Sequence, residues 1–486
     1  MDNRYYVTTS IPYVNGEPQL GHAMEFVMAD VLARYARSLP DTEVLFSTGT
    51  DEHGGKIAEK AAELGITPKA LSDQMSQKFR DLIAALGVKP DRFIRTTDEG
   101  HEQRSQLIWK ALASDIYKNK YVGWYCTGDE EFFTETVVKE NNGICPDHNR
   151  AYEKIEEENY FFRLSKYTEQ IRTAIQSSSF VVVPDSRKNE IMALLNGGLE
   201  DISISRPKDK IDWGIPVPGD KTQVMYVWFE ALLNYITVLG YPEHSDFKKF
   251  WPADVQVIGK GILRFHAAIF PGILLALGLP LAKQLYVHGY VTVDSKKMSK
   301  SLGNSVSPNE IITKYGADTF RYYFLRHVPS YDDGDFNWEA IDAAYNNELA
   351  NELGNAVQRT AVMIHKYQEG IIGDVPEGGH DAGAYREAIA ECRFDRALDT
   401  VWEHVRGLNQ YIDLQKPWQI AKDGDTEHLR DVLAKQVRDL LQIAELLEPF
   451  LPETADKIQK LFANGLVQPL EGTLFPKHDV TQPTEA

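Results

Sequence analysis

Cysteine is scarce in this chain of 486 residues, which contains only Cys126, Cys145 and Cys392. Three cysteines cannot build the multi-bridge framework that stabilises small secreted domains. The first two lie in one short stretch that suits a metal better than a disulfide. The scarcity therefore excludes the disulfide-rich extracellular class.

Long apolar runs are also missing. The longest near-continuous run, Ala267 to Ala282, is shorter than the ~18 residues that span a bilayer, and it is interrupted by Pro271, Gly272, Gly278 and Pro280. We therefore read it as a buried helix and a turn, and we expect no membrane partner.

The N-terminus has no room for a signal peptide. Met1 to Arg4 leads directly into the strand-like Tyr5 to Thr9, without the charged region, apolar core and cleavage site that secretion requires. We therefore expect a cytoplasmic protein.

Positive charge is in deficit, with 52 Lys and Arg against 71 Asp and Glu and a net charge of −19. Indiscriminate coating of nucleic acid is driven by Lys and Arg that displace counterions from phosphates, so this class is disfavoured. A selective RNA enzyme with a local basic face stays compatible with the composition.

The length suggests about three domains at ~150 residues each, and 43% hydrophobic residues are enough for several cores. Strand-like and helix-like runs alternate at the start of the chain: Tyr5 to Thr9, Ala23 to Arg37, Val44 to Ser47, Lys56 to Leu64, Arg92 to Thr96 and Gln103 to Ala113. The alternation predicts a parallel sheet covered by helices, in the α/β class.

The same pattern is expected to resume with Ile202 to Arg206, Val224 to Trp228, Val255 to Ile258 and Leu285 to His288. Residues 117–200 are aromatic and acidic, contain Cys and His, and show no such rhythm, which indicates an insertion. Long helical patterns then predict an all-α bundle, with helices over Glu348 to Lys366, Tyr385 to Leu414 and Leu429 to Leu447.

The predicted domains are a doubly wound, Rossmann-like domain in two halves, 1–116 and 201–290, the insertion 117–200, a loop region 291–335, the helical domain 336–470 and a tail 471–486.

The turn after the first strand carries Gln19-Leu20-Gly21-His22. In a doubly wound fold this turn lies at the carboxyl edge of the sheet, where the N-terminus of the following helix favours phosphate. Gly21 would let a nucleotide approach closely, and His22 can donate to a phosphate. A helix cap with a surface histidine would have the same sequence.

A second candidate is the lysine- and serine-dense loop Lys296 to Asn304. Two ammonium groups, on Lys297 and Lys300, can close on a polyphosphate and neutralise the charge that builds as pyrophosphate leaves. A solvated basic turn is the alternative reading.

Lys297 to Ser301 reproduces the KMSKS signature of class I aminoacyl-tRNA synthetases, and Gln19 to His22 resembles their HIGH signature. Four further stretches are similar to methionyl-tRNA synthetases in particular: Pro12 to Gly16, Gly49 to Gly54, Tyr226 to Tyr235 and Gly259 to His266. The resemblance extends to about residue 425.

The resemblance implies a methionine-tRNA ligase. It would use ATP and Mg²⁺ to form methionyl-adenylate and pyrophosphate, and then transfer methionine to the 3′ end of tRNA(Met). The implied catalytic residues are Gln19, His22, Lys297 and Lys300. The implied ATP-binding residues are Gly21, His22, Gly259, Lys297, Met298, Ser299 and Lys300.

The methionine pocket carried over from the family falls on Ile11, Tyr13, Asp51, Trp228, Ala231, Leu232, Tyr235, Ile262 and His266. Aromatic and aliphatic walls suit a flexible thioether, and Asp51 would pair with the substrate ammonium. Without the resemblance, Trp228 and Tyr235 are simply core residues.

Two positions depart from the family pattern. Gln19 replaces the first histidine of HIGH, and Gly261 stands where many members have an aspartate for the ATP ribose. Glutamine still donates to phosphate, whereas Gly261 leaves the ribose contact to another group.

The predicted insertion contains Cys126, Asp129, Cys145 and His148. Two knuckles with two-residue gaps are typical of structural zinc, which predicts one Zn²⁺ site. The spacing resembles the family's knuckle, with Asp129 in place of a cysteine; a vestigial knuckle held by packing is the alternative.

In the helical region the resemblance assigns anticodon recognition to Asn355, Arg359 and Trp418. Asn355 and Arg359 share a helix face, and Trp418 can stack on an unpaired base. A surface pair and a core tryptophan would have the same pattern. No further nucleic-acid-binding domain follows the bundle, so we expect a monomer.

Two other functions compete with this one. A class I synthetase for another aliphatic amino acid is disfavoured because the insertion is too short for a large editing domain. A non-catalytic tRNA-binding relative is suggested by Gln19 and Gly261, but the intact Lys297 to Ser301 loop argues against it.

Overall fold

The computed structural model describes residues 4–126, 131–133, 135–146, 149–293, 296–297, 306–378, 381–467 and 472–476. The chain divides into two compact units. The first contains Met1–Pro18, Ala36–Ala84 and Lys89–His288, and the second contains Gln19–Tyr35, Ala85–Val88 and Gly289–Ala486.

The first unit contains fourteen strands among its described residues. They are β1 (Arg4–Thr9), β2 (Glu43–Thr50), β3 (Arg92–Arg95), β4 (Ile116–Cys126), β5 (Glu131–Phe133), β6 (Ile144–Cys145), β7 (Arg150–Ala151), β8 (Glu153–Phe162), β9 (Val181–Val183), β10 (Ile202–Ser203), β11 (Ser205–Pro207), β12 (Gln223–Met225), β13 (Val255–Gly259) and β14 (Gln284–His288).

Six of these strands form a parallel sheet in the order β3-β2-β1-β13-β14-β9. Strand β1 lies at its centre, with Val7 opposite Phe46 on one side and Val255 on the other. Its buried run, from Tyr6 to Thr9, reflects a strand covered on both faces. The predicted α/β sheet is confirmed.

The helices described before residue 289 are α1 (Leu20–Ser38), α2 (Gly55–Leu64), α3 (Pro68–Ala85), α4 (Glu99–Ala111), α5 (Glu135–Glu140), α6 (Thr168–Gln176), α7 (Asp185–Gly197), α8 (Val227–Leu232), α9 (Asn234–Thr237), α10 (Ser245–Phe250) and α11 (Phe270–Ala276). Short 3₁₀ turns lie at Ala113–Asp115, Leu164–Tyr167 and Lys260–Ile262, and a π-helical turn at Phe265–Ile269. Most of α1 belongs to the second unit.

Part of the predicted insertion belongs to the parallel sheet. Strand β9, Val181–Val183, pairs in parallel with β14, so the expectation that 117–200 lacks the strand-helix rhythm is wrong for this stretch. A three-valine strand is too short to show periodicity in sequence. The rest of the insertion includes the long antiparallel pair β4 and β8, in which Ile116 lies opposite Phe162.

The strands expected at Ile202 to Arg206 and Val224 to Trp228 also differ from the prediction. Strands β10, β11 and β12 pair antiparallel outside the six-stranded sheet, and Val227 begins helix α8. β-Branched and aromatic residues favour a pleated strand, but they do not select its partner.

The second unit contains β15 (Val291–Val293), β16 (Lys296–Lys297), β17 (Gly334–Phe336), α12 (Pro308–Tyr315), α13 (Ala317–Arg326), α14 (Trp338–Ala343), α15 (Asn355–Gln368), α16 (Gly383–Ala390), α17 (Phe394–Gln415), α18 (Pro417–Asp423), α19 (Thr426–Leu447) and α20 (Pro452–Phe462). A π-helical stretch, Ala344–Gly354, leads into α15, and a 3₁₀ turn lies at Ala463–Gly465. The predicted helical C-terminal region is confirmed.

One of the long helices in this region was predicted as continuous and is broken. Helix α16 ends at Ala390 and α17 begins at Phe394, because Cys392 adopts a positive φ of 55°. Helical periodicity continues across the break and hides it in the sequence. Among the described residues, every helix is too short or too polar to cross a bilayer.

Candidate active site

Asp51 is fixed at the carboxyl end of β2. Its backbone N–H donates to the Pro12 carbonyl at 2.9 Å, and its own carbonyl accepts from the Val14 N–H at 3.1 Å. This parallel bridge joins the turn after β1 to the turn after β2 and pairs Tyr13 with Asp51. The Asp51 side chain is only 4% exposed, so its carboxylate has a defined position.

The glycine that precedes this turn is required by close approach. A Cβ placed on Gly49 would lie 2.1 Å from the Ile94 carbonyl oxygen of the neighbouring strand β3. Since backbone atoms cannot move aside, only glycine allows β2 and β3 to pair next to Asp51.

Helices α8 and α9 carry most of the apolar residues predicted for the methionine pocket. Ala231, Leu232 and Tyr235 are buried, and Trp228 stacks on Phe265 with ring centroids 4.1 Å apart. Tyr13, Trp228 and Ile262 are the partly buried predicted residues that pack on the same core as Leu232 and Tyr235. Ile11 is partly buried in the turn after β1.

Tyr235 and His266 form a buried polar pair. The Nδ1 of His266 lies 2.9 Å from the Ile262 carbonyl, and its Nε2 lies 2.6 Å from the Tyr235 hydroxyl. Because a carbonyl only accepts, Nδ1 carries the proton, and in the neutral ring Nε2 accepts from the tyrosine. The pair leaves few polar groups exposed to an apolar ligand.

A cavity of about 610 Å³, within the volume range of small-molecule sites, is lined by Trp228 and Phe265. Of the residues predicted for the methionine pocket, Trp228 is the one in its lining. Trp124 of β4 and Phe132 of β5 also line this cavity. Phe265 is not among the predicted site residues, although it directly precedes His266 in the stretch Gly259 to His266.

A buried carboxylate, Glu230, is not among the residues predicted from the sequence. Glu230 on α8 is fully buried and accepts from His53 Nδ1 and from His101 Nε2, each at 2.8 Å. His101 Nδ1 lies 2.8 Å from the Thr237 hydroxyl. In the sequence, Glu230 could have been noticed as the one acidic residue in the mostly apolar stretch Tyr226 to Tyr235.

This network shifts the acidity of its members. Burial opposes the charged form of His53, but the carboxylates of Glu230, Glu102 and Glu52 outweigh it and raise the pKa of His53. Burial alone would raise the pKa of Glu230, whereas His53 and His101 lower it. Both shifts favour a charged pair.

Glu52, next to Asp51, is also buried and fully engaged. Arg95 donates to both of its carboxylate oxygens, at 2.7 and 2.8 Å, and Thr50 donates at 2.7 Å. The residues that follow β2 are therefore held by side chains as well as by backbone.

In the second unit, His22 lies in the first turn of α1. The Gln19 backbone N–H donates to His22 Nδ1 at 3.1 Å, so the neutral ring carries its proton on Nε2, the form that can donate to a phosphate. Gln19 is exposed. The predicted phosphate-binding turn therefore has a suitable tautomer.

The second phosphate-binding candidate begins in the hairpin of β15 and β16, where Lys297 pairs with Thr292. Met298, Ser299 and Lys300 lie outside the described residues. The hairpin belongs to the same compact unit as Gln19 and His22. Gly259, at the end of β13, and Gly261 belong to the first unit.

The two described cysteines of the predicted metal site are close in the fold. Cys126 ends β4 and Cys145 lies in the small hairpin of β6 and β7. Both are buried in one cluster with Val138 and Tyr152. Asp129 and His148 lie outside the described residues.

The three predicted anticodon residues lie at the surface of the helical region. Asn355 begins α15 and is exposed, and Arg359, one turn later, lies 5.7 Å from the centre of the Trp418 ring. Arg359 also donates to Asp413 at 2.7 Å. Trp418 is 43% exposed, so the alternative of a core tryptophan is wrong.

The chain matches the family model described as tRNA synthetases class I (M) over residues 5–155 and 148–361. The methionine–tRNA ligase of Thermotoga maritima is 40% identical over 94% of this chain and 74% of the relative, and that of Brucella melitensis is 39% identical over 96% and 95%.

A solved structure of Mycobacterium tuberculosis methionyl-tRNA synthetase in complex with methionyl-adenylate superposes with a TM-score of 0.92 at 36% identity, covering 97% of this chain and 99% of that one. The matched family model, the identity of the relatives and the shared fold all point to the same family. The chain therefore belongs to the methionyl-tRNA synthetases, the class I family of methionine–tRNA ligases.

Proposed function

We propose that this chain activates L-methionine with ATP and transfers it to the 3′ end of tRNA(Met). The observation that carries the proposal is a fixed, buried carboxylate in the first unit, Asp51. Its bridge partner Tyr13 packs on the same apolar core as Trp228 and Leu232. A single carboxylate suits the substrate ammonium, and apolar walls suit a flexible thioether.

In this proposal, the residues at the N-terminal turn of α1 bind the phosphates of ATP. His22 has the tautomer that donates from Nε2. A Cβ built on Gly21 would meet no described atom within 4 Å, so packing among these residues does not require glycine there. Close approach of a nucleotide is a remaining reason for Gly21.

The lysine loop supplies the second part of the phosphate site. Lys297 and Lys300 neutralise the negative charge that develops as pyrophosphate leaves, and Met298, Ser299 and Gly259 contact the nucleotide. ATP enters with Mg²⁺, as phosphoryl substrates commonly do. The chemistry is mainly positioning and charge neutralisation, without a covalent enzyme intermediate.

An ATP–pyrophosphate exchange assay across the amino acids tests this function. We expect exchange that depends on methionine. Exchange driven by leucine or cysteine in its place would identify another class I synthetase, and tRNA binding without any exchange would identify a non-catalytic relative.

We further propose that Asn355, Arg359 and Trp418 read the anticodon. An exposed tryptophan beside a guanidinium offers a surface on which an unpaired base can stack. Arg359 is already oriented by Asp413. Bases of a single-stranded loop are the nucleic-acid partner that such a surface fits.

Trp418→Ala is expected to raise the KM for tRNA in aminoacylation about 10- to 100-fold, because base stacking on an aromatic contributes about 1–3 kcal/mol. Methionine-dependent exchange should stay within about twofold of the unmodified protein. The control is Ile371→Ala, which truncates another exposed side chain of the helical region. Equal loss of both activities would give Trp418 a folding role.

A zinc ion held by Cys126, Asp129, Cys145 and His148 is also proposed. The two cysteines share a small buried cluster, and thiolates are strong zinc ligands. Such a site would stabilise the antiparallel hairpin region, whose own apolar cluster is small.

Metal analysis of the purified protein is expected to give about one zinc per chain. Cys145→Ser should remove it, whereas Cys392→Ser, at another buried cysteine far along the chain, should retain it. An unmodified protein that contains no zinc, or a Cys145→Ser variant that keeps it, would eliminate this site.

For the organisation of the protein, we propose a monomeric cytoplasmic enzyme with the domain limits predicted above, except that β9 is assigned to the catalytic sheet. Gel filtration at assay concentrations tests the monomer, for which a dimer peak would be the contrary result.

A further inference from the structure

Two separate elements contribute to the proposed methionine pocket. The turn after β2 contributes Asp51, and helix α8 contributes Trp228, Ala231 and Leu232. Binding methionine requires the ammonium site and the apolar side chains to keep a fixed separation, because a site that must be ordered before it binds loses affinity.

A buried histidine–carboxylate pair, His53 and Glu230, joins the turn after β2 to helix α8. His53 lies two residues after Asp51, and Glu230 lies between Trp228 and Ala231 on α8. The distance between His53 Nδ1 and Glu230 Oε1 is 2.8 Å, and the side chains are 4% and 0% exposed. Since a carboxylate only accepts, the histidine donates.

The second oxygen of Glu230 is occupied as well. His101 Nε2 donates to Oε2 at 2.8 Å, and His101 is in turn next to Thr237 at 2.8 Å. Because both oxygens of the Glu230 carboxylate are held, the carboxylate cannot rotate. Helix α8 is therefore fixed in both distance and direction relative to the turn after β2.

The remaining charges around His53 support its donation to Glu230. Glu102 on α4 lies 3.7 Å from His53 Nε2, and Glu52 on the same turn is neutralised by Arg95. The His53 ring therefore faces carboxylates on two helices, α4 and α8, and on its own turn.

We propose that Glu230, acting through His53, is a positioning residue that sets the distance between the ammonium site and the apolar walls of the methionine pocket. The proposal rests on the function proposed above. Neither residue needs to touch the substrate. Their loss would loosen the pocket and leave the phosphate-handling residues of the second unit intact.

The test is steady-state ATP–pyrophosphate exchange with the Glu230→Gln variant of the full chain. We expect the KM for methionine to rise about tenfold, with kcat and the KM for ATP within about twofold of the unmodified protein. The reason is that the substitution weakens the binding of methionine and leaves the groups that react with ATP in place. Gln keeps the shape and one accepting oxygen.

His53→Gln provides the second arm, and it leaves Glu230 paired with His101. It should raise the KM for methionine to a similar extent. The double variant should have a KM for methionine no higher than that of either single variant, because both substitutions remove the same His53–Glu230 hydrogen bond. This non-additivity is a readout that general destabilisation would not produce.

The matched control is Glu348→Gln in the helical region, which also removes a carboxylate from a histidine, His327, at 3.0 Å. Its KM for methionine should be unchanged. If Glu230→Gln and His53→Gln fold and keep the original KM for methionine, the positioning role is overturned while the proposed function stands. Absence of methionine-dependent exchange in the unmodified protein would overturn the proposed function instead.

Discussion

Lys300→Ala is expected to slow methionine-dependent adenylate formation about 100- to 1,000-fold, the effect of removing one preorganised group that stabilises developing charge. In the proposed mechanism, negative charge accumulates on the departing pyrophosphate, and the Lys300 ammonium neutralises it. The loss should fall on kcat, because this charge exists mainly in the transition state. Single-turnover measurement of adenylate formation checks it.

The control for this variant is Lys314→Ala on α12 of the second unit, which removes an ammonium group of the same kind. Its adenylate formation should be unchanged. The affinity of Lys300→Ala for tRNA should also be retained, since Trp418 and Arg359 carry the proposed tRNA contact. Normal activation by Lys300→Ala would remove the loop from the mechanism.

Asp51→Asn is expected to raise the KM for methionine about 30- to 150-fold, the equivalent of losing about 2–3 kcal/mol from a charge-assisted hydrogen bond. The carboxylate is 4% exposed and its backbone is bridged to the turn after β1, so no other group can move into its place easily. Because the ammonium contact exists before and during the reaction, kcat should change little.

Asp115→Asn is a suitable comparison, since Asp115 is also 4% exposed but pairs with Lys166 away from the pocket residues. Its KM for methionine should be unaffected. A loss of methionine affinity in both variants would indicate general damage to the fold, and no loss in Asp51→Asn would place the ammonium elsewhere.

Strands and helices in the first hundred residues follow closely from the sequence. The predicted runs Tyr5 to Thr9 and Val44 to Ser47 correspond to β1 and β2, and Lys56 to Leu64 corresponds to α2. These segments are long enough for their hydrophobic period to be read, and local propensity agrees with the final fold. Helix α3, Pro68–Ala85, is not among the predicted runs. Later in the chain, the strands β9 to β12 that differ from the prediction are only two or three residues long.

For the candidate site, the motifs name residues with suitable chemistry but do not show how those residues support one another. Asp51, Tyr235 and His266 were named in advance from the resemblance. The bond from Tyr235 to His266, and the role of Phe265 behind Trp228, depend on side-chain directions that a motif does not encode.

The sequence by itself determined the family, the sheet-and-helix class and the residues with suitable chemistry, because these depend on residue type, order and short-range period. Only the tertiary structure decided that β9 joins the parallel sheet, that Trp418 is exposed, and that Glu230 meets His53. These are contacts between segments distant in the chain, and they depend on how the whole chain packs, which no local pattern specifies.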